Sequence, residues 1–341
     1  MLMKKPVSHS KLDHAAWIIR SGGLVAFPTE TVYGLGANAL DAKAVSKIFA
    51  AKGRPADNPL IIHIANLSDA NLLAKNISLK SQKLMKTFWP GPLTLVLKKN
   101  KIVPSITCAN LDSVALRMPE NKIALALIRK SGVPIAAPSA NISGSPSPTT
   151  AKHVLSDFGK KIDLIIDGGS TKHGLESTVI DMTSKIPVLL RPGAIIQNQI
   201  EKVIGKIFLH KSLLGSSDKL NSIKSPGMKY RHYAPKAKLI VYLGKSELVD
   251  KKIINDSLVS NQKTAVVSLG KKIVLSNKNK ISISFKSKTE MAKKLFSTLR
   301  SLDDQKVDSI FVKGIDNSGI GLAIMNRLLR ASCGNIVYCR K

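Results

Sequence analysis

Strand-like and helix-like segments alternate along the sequence, and this alternation restricts the chain to folds that contain both kinds of element. Runs rich in Val, Ile and Leu predict strands at 24–27, 60–64, 94–97, 113–117, 135–137, 164–167, 177–181 and 187–190. Apolar residues at helical spacing lie between several of these runs, at 11–20, 44–49 and 123–130. The first two-thirds of the chain therefore predicts an α/β or α+β domain.

A second, smaller α/β unit is predicted toward the C-terminus. Strand patterns occur at 238–243, 265–269 and 309–314, and helical patterns occur at 290–302 and 319–331. This spacing predicts a small, mostly parallel sheet. We interpret the glycines of G-I-G-L-A as the start of a helix, because the complete dinucleotide-binding fingerprint is missing. At 341 residues the chain is also too long for one ordinary core.

The segment between the two units is predicted to be an ordered linker. It is rich in Ser, Lys, Gly and Pro, and it ends in S-P-G-M-K-Y-R-H-Y-A-P. Aromatic side chains are costly to leave in water, so part of this segment is expected to dock on a surface. The predicted boundaries are 1–209 for the first domain, 210–237 for the linker and 238–341 for the second domain.

Composition limits the classes of function without choosing one. The net charge of +31 attracts RNA and nucleotides non-specifically, but the lysines are scattered, so a compositional preference explains the charge equally well. No apolar run approaches the roughly 20 residues of a membrane span, so no membrane association is expected. Cys108, Cys333 and Cys339 are widely spaced, which argues against a disulfide scaffold or structural zinc and favours a reducing cytoplasm.

Two cations stand close together in K-G-R-P-A-D-N-P-L. Lys52 and Arg54 precede Pro55 on what is predicted to be a stiff loop that enters a buried strand. Such a pair could hold an anion, and a solvated basic loop would have the same sequence. Both interpretations stay open on this motif alone.

A second motif, P-T-E-T-V-Y-G-L-G, follows a predicted strand and is crowded with hydroxyls and glycines. Thr29 and Thr31 offer short, stiff donors, while Gly34 and Gly36 would let the backbone approach a ligand. The alternative is an ordinary helix-capping turn.

Further polar residues lie at the ends of predicted strands. P-S-A-N-I-S-G-S-P-S-P-T follows an apolar strand at the position where open α/β sheets bind ligands, although a flexible surface loop is the alternative. Arg117 and Arg191 end apolar strands, where an arginine either binds an anion or simply extends to solvent. Cations, hydroxyls and amides suit the positioning and charge stabilisation of a phosphate transfer.

Together, K-G-R-P-A-D-N-P-L, P-T-E-T-V-Y-G-L-G, P-S-A-N-I-S-G, S-T-V-I-D and R-P-G resemble the YrdC-domain family of threonylcarbamoyl-AMP synthases. The S-P-G-M-K-Y-R-H-Y-A-P linker and the C-terminal G-L-A-I-M-N-R-L-L-R-A are similar to the long, two-domain form. This resemblance implies an N-terminal YrdC-like domain with a twisted mixed sheet and an open basic cleft. It also implies a small Rossmann-like C-terminal α/β domain after the linker.

The resemblance further implies a reaction. L-threonine, bicarbonate or CO2, and ATP would give threonylcarbamoyl-adenylate and pyrophosphate, with Mg2+ on the ATP phosphates. A separate threonylcarbamoyl transferase would then modify N6 of an adenosine in tRNA. Independently of the resemblance, the aromatic residues and prolines of 225–235 lead us to the hypothesis that this segment closes over the cleft as a lid and protects the adenylate from water. The alternative is a tether whose aromatic side chains pack permanently against one domain.

The resemblance also assigns residues to each substrate. Lys52 and Arg54 are the implied catalytic residues, and no protein ligand is assigned to the metal. Threonine would be bound by Thr31, His63, Arg117, Ala137 (through its backbone) and Ser177. ATP would be bound by Lys52, Arg54, Asn58, Ser113, Ser139, Asn141, Ser147, Arg191, Tyr230 and Tyr233. Taken alone, the position of His63 inside an apolar strand favours a satisfied core histidine over a ligand contact.

Two other functions share this domain. A non-catalytic double-stranded RNA-binding module in RNA or ribosome maturation would suit the positive charge, but it would not need both Lys52 and Arg54 beside Ser139 and Asn141. A carbamoyl-adenylating hydrogenase maturation factor would need cysteine-rich zinc motifs, which three scattered cysteines do not supply.

Overall fold

The computed structural model describes residues 1–3, 9–213, 232–275 and 279–340. The chain forms two compact units, of which the first comprises Met1–Ser143 and Ser147–Tyr230 and the second comprises Gly144–Pro146 and Arg231–Lys341. The strands of the first unit are β1 (Leu2–Met3), β2 (Val25–Phe27), β3 (Gly34–Asn38), β4 (Ile61–His63), β5 (Leu93–Lys98), β6 (Ser113–Arg117), β7 (Ile135–Ala136), β8 (Leu164–Ile166), β9 (Thr178–Asp181), β10 (Val188–Arg191) and β11 (Phe208–Leu209). Its helices are α1 (His9–Arg20), α2 (Ala42–Lys52), α3 (Ser68–Leu73), α4 (Leu79–Phe88), α5 (Lys122–Ser131), α6 (Ala151–Phe158) and α7 (Gln197–Ile204).

The described strands of the first unit form one mixed sheet in the order β1-β8-β2-β3-β7-β4-β6-β5-β9-β10-β11. β4 runs parallel to β6, whereas β7 and β5 run antiparallel to these two strands on either side. β9 runs parallel to β5 and antiparallel to β10. The twisted mixed-sheet fold predicted for this domain is therefore confirmed.

Alternation along the strands gives the two faces of the sheet different contents. On β6, Val114 and Leu116 belong to the large core that includes Leu35 and Ile62. Ala115, between them, belongs instead to a small apolar cluster with Val96. Because successive side chains of a strand point to opposite faces, Ser113 and Arg117 lie on the face of Ala115. The sequence thus builds a fully apolar face and a face with polar residues at its ends.

Local signals place the elements that border the polar face. Asp41 caps the start of α2 by accepting hydrogen bonds from the backbone N–H groups of Lys43 and Ala44. The helix ends at Lys52 because Gly53 adopts φ of 60°, a left-handed conformation that favours glycine. Asn121 caps α5 in the same way that Asp41 caps α2.

The second unit contains five described strands in one all-parallel sheet, ordered β14-β13-β15-β12-β16. These strands are β12 (Lys238–Gly244), β13 (Thr264–Leu269), β14 (Lys280–Phe285), β15 (Ser309–Lys313) and β16 (Ile336–Cys339). The helices are α8 (Ser246–Val259), α9 (Lys288–Asp304) and α10 (Gly321–Ala331). The prediction of a small parallel α/β unit is confirmed, and α10 begins within the glycine-rich G-I-G-L-A segment.

Residues 214–231, which hold most of the predicted linker, lie outside the described residues. The linker, its lid movement and the predicted domain boundaries therefore stay predictions. Across the described ranges, no helix is long and apolar enough to cross a membrane.

Candidate active site

The ends of four strands bring polar side chains to one face of the first sheet. His63 pairs with Arg117 in the register of β4 and β6, and each ends its strand. Leu95 pairs with Leu116, which places Thr94 of β5 beside Arg117. Ser177 stands immediately before β9, whose Val179 shares the small apolar cluster with Val96. Four polar side chains thus gather around one patch of the sheet.

The centre of this group is a buried ion pair. Nη2 of Arg117 lies 2.5 Å from Oε1 of Glu30, and the two side chains are only 4% and 3% exposed. Nε of Arg117 also donates to the carbonyl of Gly91 at 3.3 Å. The guanidinium is therefore held in one orientation, with the charge of a carboxylate beside it.

His63 lies next to this pair in a dry environment. The ring is buried, and its centroid stands 6.1 Å from that of Phe27 in an edge-to-face arrangement. Burial, with a further contribution from the positive charge of Arg117, lowers the pKa of His63 to about 3. The imidazole is consequently neutral at physiological pH, and Nδ1 has no hydrogen-bond partner among the described residues. A neutral donor–acceptor ring of this kind suits binding of a hydroxyl group.

Ser177 is the junction of a hydroxyl network. Its Oγ is 2.8 Å from Oγ1 of Thr94, and Nη2 of Arg191 donates to it at 3.0 Å. Nε of Arg191 also donates to the carbonyl of Ser177 at 3.0 Å. Arg191, predicted to contact ATP, is thus bonded to a residue predicted to contact threonine.

The R-P-G motif also has a packing role that the sequence did not indicate. A Cβ at Gly193 would stand 2.5 Å from the backbone N of Thr178 and 2.6 Å from the carbonyl of Glu176. Only glycine allows the two segments to approach this closely. The motif therefore sets the position of Ser177 as well as that of Arg191.

The P-T-E-T-V-Y-G-L-G motif requires a correction. It is not a helix-capping turn, because Gly34 and Gly36 belong to strand β3. A Cβ at Gly36 would lie 2.7 Å from side-chain atoms of Ile135 and of Phe27, so packing between strands requires the glycine. The threonines do face each other, with Oγ1 of Thr29 and Oγ1 of Thr31 2.8 Å apart.

The cation pair predicted to bind an anion, Lys52 and Arg54, also differs from the expectation. Lys52 is the last residue of α2 rather than part of a loop, and it is 2% exposed. Its ammonium donates to the carbonyls of Ser139 and Asn141, while the backbone N of Ser143 donates to the carbonyl of Lys52. Lys52 therefore fastens the P-S-A-N-I-S-G segment to the end of α2, which is a packing role that the sequence interpretation did not foresee.

Arg54 folds back over the turn that follows it. Its Nη2 donates to the carbonyls of Asn58 and Pro59, each at 3.2 Å. Asn58 is 1% exposed, and its Oδ1 has no partner within the described part of the chain. The cation is therefore ordered before any ligand arrives, and an amide oxygen beside it retains an unused acceptor.

Ser147 and Ala137 complete the segment that follows β7. The hydroxyl of Ser147 is buried and donates to Oε1 of Glu176. The backbone N of Ala137 donates to the carbonyl of Ile61 at 2.9 Å, which ties this segment to β4. Both residues are therefore fixed in place within the first unit.

Ser113 occupies the far end of the same sheet face. It begins β6, four residues and roughly 13 Å from Arg117 at a strand rise of about 3.3 Å per residue. It lines a cavity of about 860 Å³ together with Lys75, Lys98, Lys99 and Lys101. Its predicted ATP contact stays a prediction, and the lysines make its surroundings strongly basic.

The last two residues predicted to bind ATP are Tyr230 and Tyr233. Tyr230 lies outside the described residues. Tyr233 belongs to the second unit, where its ring stacks on Phe296 at 5.2 Å and the guanidinium carbon of Arg327 stands 5.6 Å from its centroid. The ATP contacts assigned to both tyrosines stay predictions.

Sequence reasoning missed three polar residues of the site. Glu30, Thr94 and Glu176 are buried and bonded to Arg117, Ser177 and Ser147 respectively. Glu30 stands inside the quoted P-T-E-T motif, so an acidic residue between two hydroxyls was a usable signal. Thr94 gave no such signal, because threonine is common in strands.

The chain is similar to known proteins over nearly its whole length. Residues 17–193 match the family described as Telomere recombination, and residues 195–333 match the family described as Threonylcarbamoyl-AMP synthase, C-terminal domain. Threonylcarbamoyl-AMP synthase of Pyrococcus abyssi is 51% identical over 98% of this chain and 98% of its own length. The protein of that name from Bacillus subtilis is 47% identical over 96% of this chain and 94% of its own length.

A solved structure matches the whole fold. The crystal structure of P. abyssi Sua5 complexed with L-threonine superposes with a TM-score of 0.93 at 50% identity, covering 100% of this chain and 99% of that one. The match includes both units, as the long form of the family requires. This chain therefore belongs to the threonylcarbamoyl-AMP synthase family, in its long two-domain form, and is an enzyme of the nucleotidyltransferase type.

Proposed function

We propose that this chain converts L-threonine, bicarbonate or CO2, and ATP into threonylcarbamoyl-adenylate and pyrophosphate. The observation that carries the proposal is the polar face of the first sheet. A buried guanidinium, a neutral imidazole and a hydroxyl network meet there at the ends of neighbouring strands. The named relatives and the threonine complex of the P. abyssi protein support the same reaction.

In this proposal, threonine binds at the end of β6. Arg117 receives the carboxylate, because a guanidinium held by Glu30 and Gly91 offers its remaining N–H groups in a fixed direction. His63 and Thr31 bind the threonine hydroxyl, and Ser177 supports the opposite side. The site would recognise a small α-amino acid with a hydroxyl group.

ATP binds along the segment that Lys52 fastens. The ammonium of Lys52 and the guanidinium of Arg54 are both buried and both directed at carbonyl groups around residues 58–59 and 139–141. Approach of the phosphates and the carbamate would exchange some of these carbonyl contacts for anionic oxygens, which accept stronger hydrogen bonds. The two cations then stabilise the negative charge that develops at the transferring phosphate.

Mg2+ is proposed to arrive on the ATP phosphates, where it would neutralise their charge. Among the described residues, no group of three or more His, Cys, Asp or Glu side chains could hold a metal ion. An ion that is carried by its substrate needs few protein ligands, because phosphate oxygens and water fill most of its coordination positions.

The product is proposed to pass to a separate threonylcarbamoyl transferase that acts on tRNA. The charge of +31 supports transient, non-specific contact with tRNA. We place the reaction in the cytoplasm, which the three free cysteines of the structure support. The non-catalytic RNA-binding alternative is not favoured, because it gives no role to the buried cations and the hydroxyl network.

The test is direct. The protein is incubated with ATP, L-threonine and radiolabelled bicarbonate, and pyrophosphate and labelled adenylate are measured. We expect both products in equal amounts, and neither when threonine is omitted. Pyrophosphate release that is independent of threonine and bicarbonate would contradict the proposal.

A further inference from the structure

The carboxylate of Glu30 uses only one of its two oxygens. Oε1 accepts the hydrogen bond from Arg117, while Oε2 is buried and has no hydrogen-bond partner among the described residues. A buried charged oxygen without a donor is costly, so it calls for an explanation, and at a substrate site a donor group of the ligand supplies one. This oxygen and Nδ1 of His63 are the unpartnered polar atoms beside Arg117 among the described residues, and Oε2 is the one that carries charge.

The backbone around Glu30 holds this carboxylate in place. The N–H of His173 donates to the carbonyl of Glu30 at 2.8 Å, and the N–H of Gly174 donates to the carbonyl of Thr31 at 3.1 Å. Burial lowers the pKa of His173, so its ring is neutral at physiological pH and adds no competing charge. Oε2 is consequently preorganised rather than free to turn toward water.

Within the described part of the chain, the neighbouring carboxylates Glu176 and Glu120 already have other partners. Oε1 of Glu176 accepts the hydroxyl of Ser147, and Glu120 is half-exposed and paired with Lys172 at 3.0 Å. Glu30 is therefore the carboxylate that stands beside the proposed carboxylate-binding group, Arg117.

We propose that Oε2 of Glu30 accepts a hydrogen bond from the α-ammonium group of L-threonine. The proposal rests on the proposed function, because it assigns the carboxylate of the same substrate to Arg117. A neutral Glu30–Arg117 pair is complementary to a zwitterion, since each charge of the pair meets the opposite charge of the amino acid. Binding then adds no net charge to a buried site. Glu30 would select α-amino acids over hydroxy acids of the same shape.

The test compares two ligands on two proteins. (R)-3-Hydroxybutanoate is L-threonine without its amino group, so it retains the carboxylate and the hydroxyl. Dissociation constants of both ligands are measured by NMR titration for the wild-type chain and for Glu30→Gln. Glutamine keeps the shape of the side chain and can still accept a hydrogen bond from Arg117.

We expect Glu30→Gln to raise the dissociation constant of L-threonine about 10- to 100-fold, which is the range of one buried charge-assisted hydrogen bond. The dissociation constant of 3-hydroxybutanoate should change less than about threefold. An equal rise in the dissociation constants of both ligands would overturn the proposal, because Glu30 would then act only as a positioning residue for Arg117. No weakening of either ligand would overturn it as well. Glu120→Gln is the matched control and should leave both constants unchanged.

Two further measurements keep the result decisive. Thermal unfolding and ATP binding report whether the Glu30→Gln variant is folded. If it is not, Glu30→Asp is used instead, because aspartate keeps the negative charge but is shorter by one methylene group, which moves the carboxylate away from the ligand. The Glu30→Asp variant should then show the same selective loss for L-threonine. Failure of the wild-type chain to release pyrophosphate would refute the proposed function, whereas an active wild type with equal losses for both ligands refutes only the role of Glu30.

Discussion

Replacing Lys52 by methionine should damage both the fold and the reaction. Lys52 is 2% exposed, and its ammonium bonds the carbonyls of Ser139 and Asn141. Methionine keeps the length and apolar stem of the side chain but leaves both carbonyls without this donor. The predicted effect therefore combines a loss of stability with a loss of catalysis.

The magnitude follows from these two bonds. Each charge-assisted hydrogen bond contributes about 1.5–3 kcal/mol, so two give about 3–6 kcal/mol. Removing a buried ammonium also removes its desolvation cost, which offsets several kcal/mol of this sum. We expect a net loss of about 2–3 kcal/mol, which lowers Tm by about 4–12 °C at 2–4 °C per kcal/mol. Adenylate formation should fall about 100-fold or more, as expected when a charge at the transferring group is removed.

The assay pairs thermal unfolding with release of pyrophosphate in the presence of all three substrates. Lys43→Met is the matched control, because Lys43 is exposed on the same helix and should change neither property. Loss of activity with an unchanged Tm would show that the carbonyl contacts add no stability. An unchanged Tm together with unchanged activity would refute the reasoning as a whole.

Three other perturbations have clear expectations. Arg117→Lys should raise KM for threonine at least tenfold more than KM for ATP, because lysine lacks the two parallel N–H donors with which a guanidinium binds a carboxylate. Equal changes in the two KM values would place Arg117 outside the threonine site. In the folded protein the pKa of His63 is about 3, below its ordinary value of 6.5. Between pH 3 and pH 6.5 the unfolded chain therefore binds one more proton than the folded chain, so the free energy of unfolding falls as the pH drops below 6.5. His63→Gln should flatten this slope by up to about 1.4 kcal/mol per pH unit in urea unfolding at pH 5 and 7, and parallel slopes for both proteins would contradict the assignment. Gly193→Ala should lower the free energy of unfolding by about 1–3 kcal/mol in the same urea experiment, because its Cβ would meet the backbone of Glu176 and Thr178 at about 2.5 Å. An unchanged midpoint of urea unfolding would mean that the backbone moves aside without cost.

The sequence determined most of the strands that build the site. β6 matches the predicted run 113–117, and α9 and α10 lie within two residues of their predicted limits at each end. These elements carry strong local signals, because apolar residues at period 2 or 3.6 bury one face whatever surrounds them. The order of the motifs also identified the family before any distance was known.

Neither β3 nor β14 is among the predicted strands. Gly34 and Gly36 give β3 a low strand propensity, and the strand forms because Phe27 and Ile135 occupy the space that side chains would need. β14 is different, because Ile281, Ile283 and Phe285 alternate strictly with polar residues, so the sequence carried a strand signal there that the prediction left unused. Only for β3 do neighbouring strands, rather than local propensity, decide the structure.

The tertiary structure alone decided which polar residues work together. The sequence placed Lys52 on a loop with no packing role, but its ammonium bonds carbonyls 87 and 89 positions away along the chain. Glu30 meets Arg117 at the same separation of 87 positions, and no local pattern encodes that pairing. Residue type and spacing specify local conformation, whereas a buried charge acquires its partner only when sheet register brings distant strand ends together.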